Sequence, residues 1–285
     1  MAVITESTLI KTKTVGKRIF IYLVLIPLCI FMVLPYIWIL ITSLKTPAEV
    51  FTVPMIIFSR NMSLDNFKDV IIDKGALIRL WNTFFISFTA TILKLFLCSL
   101  AGYGFAKFRF PGRNILFSVL IASMIVPFAV TLIPLYAMML KFHWVDTFLP
   151  LIVPGAASAF GIFFMRQYIR SIPDELLDAA RIDGCSEFSI YGRVILPVIM
   201  PGLTSLGLIF FMLTWNDFLW PLVILKTPEN QTLPVMIATL SGLSETNMYP
   251  FQMAVAVISI TPLIAIFLIF QRRFTEGIAF GAVKG

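Results

Sequence analysis

The stretch DELLDAARIDGCSEFSIYGRVILPVIMPGL, residues 174–203, decides the fold because it places a charged helical segment inside an otherwise apolar chain. Between residues 174 and 193 it holds five carboxylates and two arginines, whereas the chain as a whole is 59% hydrophobic and 13% charged. Soluble domains average roughly 45–50% apolar and about 25% charged residues. An excess of apolar residues in long uninterrupted runs indicates helices that lie in a lipid bilayer.

Six apolar segments approach or exceed the length that a bilayer requires, which is about 20 residues for a hydrocarbon core of roughly 30 Å. They cover residues 19–41, 81–106, 115–140, 148–165, 194–225 and 251–270. Runs of this length are typical of helices rather than strands. We therefore predict an all-α integral membrane protein with six transmembrane helices. The first run is too long for the core of a signal peptide and lacks a cleavage site, so we interpret it as a retained anchor.

The distribution of basic residues predicts the orientation of these helices. With the amino terminus inside, the inside loops carry 14 of the 22 Lys and Arg residues and the outside loops carry seven. Because cytoplasmic loops are enriched in Lys and Arg, both termini are predicted to be cytoplasmic. The net charge of +7 is spread over separate loops, which argues against a nucleic-acid partner.

Residues 174–193, here called the acidic segment, then lie on the cytoplasmic side between the fourth and fifth spans. Asp174, Asp178 and Arg181 share one helical face, which predicts an amphipathic helix over residues 174–182. Gly184 is suited to end this helix with a positive φ, and Ser186 to cap a second short helix. We predict that both helices lie on the membrane surface, since each charge at the bilayer centre costs about 2.5–3.5 kcal/mol.

The composition of the acidic segment leaves two interpretations of its surface. Interfacial helices usually carry Lys and Arg toward anionic lipid, whereas here acids outnumber bases. An acidic helix with an apolar flank is also suited to a groove on a protein partner. The residues alone leave docking and simple packing between the spans as alternatives.

The acidic segment resembles the cytoplasmic loop of binding-protein-dependent ABC importer permeases. The signature of that family is E-A-A, three residues, G, nine residues and I-x-L-P. The corresponding residues here are Asp178, Ala179, Ala180, Gly184, Val194, Ile195, Leu196 and Pro197. The spacing is complete, and the departures are Asp for Glu and Val for Ile. TWNDFLWPL at 214–222 and GIAFGAVKG at 277–285 resemble the carbohydrate, maltose-type branch.

This resemblance implies a division of the chain and a set of partners. Residues 1–76 would hold the amino terminus, first span and an extracellular segment, residues 77–272 the permease domain, and residues 273–285 a cytoplasmic tail. The partners would be a second permease subunit in a heterodimer, two ATP-binding subunits and an extracellular sugar-binding protein, in a bacterial cell membrane. The ATPase-coupling residues would be Asp178, Ala179, Ala180, Gly184, Val194, Leu196 and Pro197.

The sequence predicts a non-catalytic subunit that binds no cofactor of its own. It lacks the G-x-x-x-x-G-K-[ST] loop, so ATP and Mg²⁺ would bind to the partner ATPase. One histidine and three scattered cysteines predict no metal site. A stand-alone secondary transporter or channel is the alternative, and an intramembrane enzyme is a third class. An enzyme needs clustered catalytic groups, but only Lys94 and Asp217 lie at membrane depth.

Trp215, Asn216, Asp217 and Lys94 are the candidates for a substrate pathway, because polar residues inside spans mark functional sites. An aromatic ring beside polar groups suits a sugar, but the same residues could bond to a neighbouring helix. Lys94 could pair with Asp217, bind an acidic sugar or line a wet cavity. The resemblance implies an oligosaccharide or monosaccharide, and its members also carry glycerol phosphate esters and uronate oligomers.

Overall fold

The computed structural model describes residues 2–52, 56–59, 61–242 and 248–282, with side chains from residue 20 to residue 271 within those ranges. The described residues contain α-helices, one π-helical turn and one 3₁₀ turn, and no strand. The helices are α1 (Ala2–Ser43), α2 (Pro47–Val50), α3 (Asp65–Ile72), α4 (Ala76–Lys107), α5 (Arg113–Ser123), α6 (Phe128–Lys141), α7 (Leu149–Ile152), α8 (Ala159–Arg170), α9 (Asp174–Ile182), α10 (Glu187–Ile190), α11 (Leu196–Trp215), α12 (Leu219–Ile224), α13 (Leu233–Gly242) and α14 (Tyr249–Ala282). The predicted all-α membrane class is confirmed.

Four helices in the described part of the chain are long and apolar enough to cross a membrane. They are Phe20–Ser43 within α1, α4, the continuous helix Glu187–Trp215, and Tyr249–Gln271 within α14. They correspond to the first, second, fifth and sixth predicted spans. A fifth crossing is present if α5 and α6 form one bent span.

The third predicted span is not one helix. Helices α5 and α6 meet at an angle of 98° across a break of four residues. Pro127 precedes α6 with an extended backbone, at φ −63° and ψ 138°. Because proline lacks an N–H group and restricts the residue before it, α5 ends ahead of this point.

The fourth predicted span, residues 148–165, is also interrupted, and the expectation of one helix there is wrong. Helix α7 ends at Ile152 and α8 begins at Ala159. Pro154 and Gly155 in the intervening turn disfavour a helix. Ser158 starts the second half, since its Oγ accepts a hydrogen bond of 3.3 Å from the Gly161 N–H.

The second helix of the acidic segment is continuous with the fifth span, rather than a separate surface helix as predicted. Helix α10 passes through a π-helical turn, Tyr191–Ile195, into α11. The Leu196 N–H bonds to the Tyr191 carbonyl, five residues earlier, just before Pro197 interrupts the helical hydrogen bonding. At the other end, the predicted span to residue 225 divides at residues 216–218, and α12 follows.

Helix α4 packs between α8 and α11, and glycines set how closely the helices approach. A Cβ on Gly102 would lie 2.7 Å from the Met165 Cβ of α8. One on Gly161 would lie 2.6 Å from Phe210 Cζ and 2.7 Å from Cys98 Sγ. Side chains at these two positions would therefore force the helices apart.

Helix α1 packs mainly against α14 and leaves most of its apolar side chains exposed between residues 20 and 40. An exposed apolar surface of this size requires lipid or a second protein subunit to cover it.

The two ends of α4 mark opposite ends of the bundle. At its carboxyl end, Lys107 Nζ donates hydrogen bonds of 2.5 Å to the Ile172 carbonyl and to Asp174. Near its amino end, Asn82 Nδ2 donates to the carbonyls of Glu229 and Gln231, at 2.6 and 3.0 Å. The acidic segment and the loop before α13 therefore lie at opposite ends. Which of the two ends is cytoplasmic stays a prediction.

Asp146 connects two loops at the end opposite the acidic segment. Its carboxylate accepts hydrogen bonds from the Lys226 N–H (2.8 Å), the Thr227 N–H (3.1 Å) and the Thr227 hydroxyl (2.7 Å). Burial alone would raise the pKa of Asp146, but the hydrogen bonds from Thr227 and Lys226 outweigh it and hold the pKa below its ordinary value.

Candidate functional sites: the acidic segment and the lysine at a helix break

The bend of the acidic segment is built on Gly184, as the sequence predicted. Its φ is +77°, in the left-handed region. The Gly184 N–H bonds to the Arg181 carbonyl and the Cys185 N–H to the Ala180 carbonyl, each at 3.0 Å. This is a Schellman arrangement, which ends α9 with its last carbonyls satisfied. The predicted cap of the second helix is also present, because Ser186 Oγ accepts from the Ser189 N–H at 3.3 Å.

A hydrogen-bonded chain joins the two arms of this bend to α4. Arg181 Nε donates to Glu187 Oε1 at 2.8 Å, and Arg181 Nη1 donates to Asp178 Oδ1 at 2.9 Å. The Tyr103 hydroxyl of α4 donates to the second oxygen of Glu187 at 2.8 Å. The hydrogen bond to Glu187 is the main reason that the pKa of Arg181 lies above its ordinary value. Movement of α9 is therefore linked to α4 through one carboxylate.

A second link joins the start of α9 to the carboxyl end of α4. Lys107 keeps only 6% of its side chain exposed, whereas its partner Asp174 is 77% exposed. The hydrogen bond and charge of Lys107 hold the pKa of Asp174 below its ordinary value. The acidic segment is therefore attached to α4 at two points.

The outer surface of the acidic segment carries large apolar side chains among its charged ones. Leu177 is buried and fixes α9 to the core, whereas Ile182 is 86% exposed and Phe188 is 78% exposed. Two exposed apolar side chains beside acidic groups suit contact with a protein rather than with water.

The predicted coupling residues divide into outward-facing and inward-facing groups. Asp178, Ala179, Gly184 and Pro197 are exposed. Ala180, Val194 and Leu196 are half-buried and pack against the core that α4, α8 and α11 form. The outward-facing group is the one available to a partner.

The second site centres on Lys94, which faces the break between α7 and α8. Its Nζ donates to Thr214 Oγ1 at 3.2 Å and lies 5.6 Å from the ring centroid of Phe210. A Cβ on Gly155, in the break, would lie 3.4 Å from the Lys94 Cε. The structure therefore brings together α4, α11 and the turn of the discontinuous helix.

Lys94 also interacts electrostatically with Asp217, which is half-buried. The Asp217 carboxylate lies near the backbone N–H groups of Trp220 and Phe218 at the start of α12. Asn216 is exposed, and its Nδ2 donates to the Met212 carbonyl of its own helix at 2.8 Å. Lys94 and Asp217 thus form one polar site, with Asn216 on the exposed surface beside Asp217.

Trp215 occupies a different environment from the other candidates. It is 1% exposed, and its Nε1 donates to the Ser259 carbonyl of α14 at 3.2 Å. In this conformation the indole packs α11 on α14 and presents no surface to a sugar. Of the two roles considered from the sequence, sugar contact or a hydrogen bond to a neighbouring helix, Trp215 has the second.

Sequence reasoning did not select Gly155, Thr214 or Phe210. The only signal was the Pro154–Gly155 pair inside an apolar run. This pair predicts a break in a helix but does not predict that Lys94 lies beside the break. Helix discontinuities next to polar side chains are frequent at binding sites of transporters. Among the residues with described side chains, no group of three or more His, Cys, Asp or Glu could hold a metal ion.

Comparison with known proteins identifies the chain. The profile of the family "Binding-protein-dependent transport system inner membrane component" matches residues 94–279. The chain belongs to this family. The predicted membership of the binding-protein-dependent ABC importer permeases is confirmed.

Two of the relatives are permease proteins of sugar transport systems. The arabinooligosaccharides transport system permease protein of Halalkalibacterium halodurans is 35% identical over 89% of this chain and 91% of its own length. The lactose transport system permease protein of Rhizobium radiobacter is 31% identical over 88% of this chain and 91% of its own. These relatives support the assignment to the carbohydrate branch.

Solved structures agree with the fold. A bacterial ABC transporter involved in the import of the acidic polysaccharide alginate has a chain that matches with a TM-score of 0.78 and 25% identity. The match covers 91% of this chain and 98% of that one. A second alginate transporter structure, in complex with a periplasmic protein that binds an alginate pentasaccharide, matches with a TM-score of 0.64 and 15% identity, and supports the fold alone.

Proposed function

We propose that this chain is the transmembrane subunit of an ABC importer that carries an oligosaccharide across a bacterial cell membrane by alternating access. The observation that carries the mechanism is the construction of the acidic segment. Exposed Ile182 and Phe188 form a contact surface, and the chain from Arg181 through Glu187 to Tyr103 connects that surface to the spans. ATP and Mg²⁺ bind to the partner ATPase, and its closure moves the acidic segment.

The proposed topology has six crossings with both termini in the cytoplasm. The third crossing is the bent pair α5 and α6, and the fourth is the discontinuous pair α7 and α8. This orientation follows the excess of Lys and Arg at the end that holds the acidic segment. The permease domain covers residues 77–272, with residues 1–76 before it and a tail at residues 273–285.

The proposed assembly contains a second permease subunit in a heterodimer, two ATP-binding subunits and an extracellular sugar-binding protein. The exposed apolar surface of α1 supports a neighbour in the membrane. Asp178, Ala179, Gly184 and Pro197 contact the ATPase, while Ala180, Val194 and Leu196 hold the segment in position.

The proposed substrate pathway passes the site of Lys94, Asp217 and Asn216. Lys94 and Asp217 are half-buried and connected to several elements, and the side chain of Lys94 lies against the helix break at Gly155. An oligosaccharide offers hydroxyl groups to both charges. An arabinose- or galactose-containing oligomer is the first substrate to test, because the relatives named above carry such sugars.

A crosslinking experiment tests the coupling. Cys29, Cys98 and Cys185 are replaced, and single cysteines are introduced at Ile182 and at Ala179, both exposed. We expect each cysteine to capture the ATPase subunit in native membranes, with a yield that changes when ATP is added. Phe142, 51% exposed and beyond the carboxyl end of α6, provides the control cysteine. Capture from Phe142 but from neither test position would reject the assignment.

A transport assay separates the importer from a stand-alone carrier. Proteoliposomes that contain the whole complex, with ATP enclosed in the lumen or left out, are supplied from outside with the labelled oligosaccharide and its binding protein. Uptake is expected only with ATP. Uptake that an ion gradient drives without the ATPase would favour the secondary transporter.

A further inference from the structure

Four arginines converge on one cavity beside the start of the acidic segment. The cavity has a volume of about 210 Å³ and lies where α4 ends, α5 begins and α8 ends. Its basic lining consists of Arg109, Arg113, Arg166, Arg170 and Lys107. None of these residues belongs to the coupling surface or to the substrate pathway.

The positive charge of this cavity is not balanced within the described part of the chain. Asp174 is the one carboxylate among the lining residues, and it is paired with Lys107. The ion pairs among the described residues include none of the four arginines. The guanidinium group of Arg166 is repelled by the positive charges of Arg170 and Arg113. Like charges held together in this way favour binding of an anion.

Two of the arginines are held in place by the protein itself. Arg113 Nη1 donates to the Phe108 carbonyl at 3.0 Å. Arg166 Nε donates to the Phe105 carbonyl at 3.4 Å, and its guanidinium carbon lies 3.9 Å from the centroid of the Phe117 ring. Their side chains are half-buried, whereas Arg109 and Arg170 are exposed. Pre-positioned guanidinium groups suit the oxygens of a phosphate, which accept paired hydrogen bonds.

A second cavity connects the basic cavity to an apolar surface. It has a volume of about 400 Å³ and shares Arg109 and Arg113 with the first, and its lining also includes Phe110 and Ile115. From Ile115 onward, α5 presents an exposed apolar side that includes Leu116 and Val119. The basic cavity therefore continues into an apolar surface at the end of a membrane helix, which is the arrangement that suits an amphiphile.

We propose that the cavity lined by Arg109, Arg113, Arg166 and Arg170 binds the phosphate of an anionic phospholipid in the cytoplasmic leaflet, with the acyl chains along α5. Basic pockets between membrane helices bind anionic headgroups in this way. The location in that leaflet rests on the orientation proposed above. An acidic protein segment would satisfy the arginines equally but gives no role to the adjoining apolar side of α5.

Native mass spectrometry of the intact chain with its co-purified subunits tests this proposal, using phosphatidylglycerol and phosphatidylcholine as probes. We expect the wild type to bind phosphatidylglycerol about tenfold better than phosphatidylcholine. R109Q/R170Q removes two exposed charges that make no ion pair in the described chain, and should lose that preference. R109K/R170K keeps the positive charges and should retain part of the preference for phosphatidylglycerol. K141Q, a charge removed at the opposite end, should behave as the wild type.

Inorganic phosphate distinguishes a lipid from a free anion. With excess inorganic phosphate, bound phosphatidylglycerol should remain, because the apolar side of α5 also holds it. Complete displacement by inorganic phosphate would show a free-anion site and overturn the lipid assignment, as would an unchanged lipid preference in R109Q/R170Q. Loss of the ATPase from that variant without loss of lipid would identify a protein contact instead. Crosslinking at Ile182 does not depend on this cavity, so it reports the proposed function separately.

Discussion

Tyr103 and Glu187 are joined by a hydrogen bond of 2.8 Å although 84 residues separate them in sequence. Tyr103 belongs to α4, and Glu187 begins the helix that becomes the fifth predicted span. Arg181 of α9 donates a hydrogen bond to the other oxygen of the same carboxylate. A single side chain therefore connects the acidic segment to two membrane helices.

Replacing Tyr103 with Phe tests this connection. The ring packing is kept but Glu187 loses a donor, so we expect a loss of about 1 kcal/mol in stability and fewer sugars transported per ATP. Thermal unfolding and the ratio of transport to ATP hydrolysis measure the two effects. Tyr36→Phe, at an exposed position on α1, is the control. Equal behaviour of the two variants would contradict a role for the hydrogen bond.

Substitutions of Gly184 test backbone strain without a steric clash, because a Cβ there would meet no atom within 4 Å. Gly184→Val should cost roughly 1–2 kcal/mol, since a branched residue adopts a positive φ poorly, and should uncouple ATP hydrolysis from transport. Gly184→Asn should remain close to the wild type because Asn tolerates this conformation. Unchanged sugar uptake with Gly184→Val would count against the proposed bend.

Two neighbouring glycines on α4 provide a matched test of helix packing. Gly102→Ala places a Cβ 2.7 Å from Met165 Cβ and should destabilise the protein by about 1–3 kcal/mol. Gly104→Ala meets no atom within 4 Å and should be neutral or slightly stabilising, because Ala favours a helix. Melting temperatures in detergent report both. A similar loss in the two variants would show that α4 and α8 are not in close contact.

Lys94→Met and Asp217→Asn test the polar site at the helix break. If the two charges act together on substrate, each change should lower transport about tenfold, and the double variant should lose less than the product of the two. Transport rate against sugar concentration shows whether KM or the maximal rate changes. Full transport of every oligosaccharide tested by Lys94→Met would leave the lysine only a structural role.

A substitution of Asp146 tests the connection between the two loops at the end opposite the acidic segment. Asp146→Ala removes the acceptor of two backbone N–H groups, so amide hydrogen exchange at Lys226 and Thr227 should become faster. In the wild type, the lowered pKa of Asp146 means that its stabilisation is complete above its ordinary value of 3.8 and is lost as the pH falls through the lowered pKa. Exchange measured at neutral and acidic pH, corrected for the intrinsic rate, checks the sign. Exposed Glu229→Gln is the control.

Much of the fold follows from local features of the sequence. The apolar runs identified the four continuous helices, and Gly184 and Ser186 identified the bend of the acidic segment, because these signals depend on neighbouring residues alone. The polar stripe of Asp174, Asp178 and Arg181 likewise predicted the helix over residues 174–182.

The errors arise where the outcome depends on distant residues. Hydropathy averages over Pro154 and Gly155, so it predicted one helix where the chain breaks opposite Lys94. The role of Glu187 depends on Tyr103, which no local pattern connects to it. Trp215 fitted a sugar site by residue type, but its environment depends on the Ser259 carbonyl of α14.

The π-helical turn at Tyr191–Ile195 has a mechanical consequence. It keeps Glu187–Trp215 continuous, so 29 residues form one helix roughly 43 Å long. If this helix tilts as one body by about 10° around the end that holds Glu187, the far end, next to Asp217, moves by about 7.5 Å. In the proposed mechanism, this one helix would carry a movement of the acidic segment to the region of Asp217 on the other side of the bilayer.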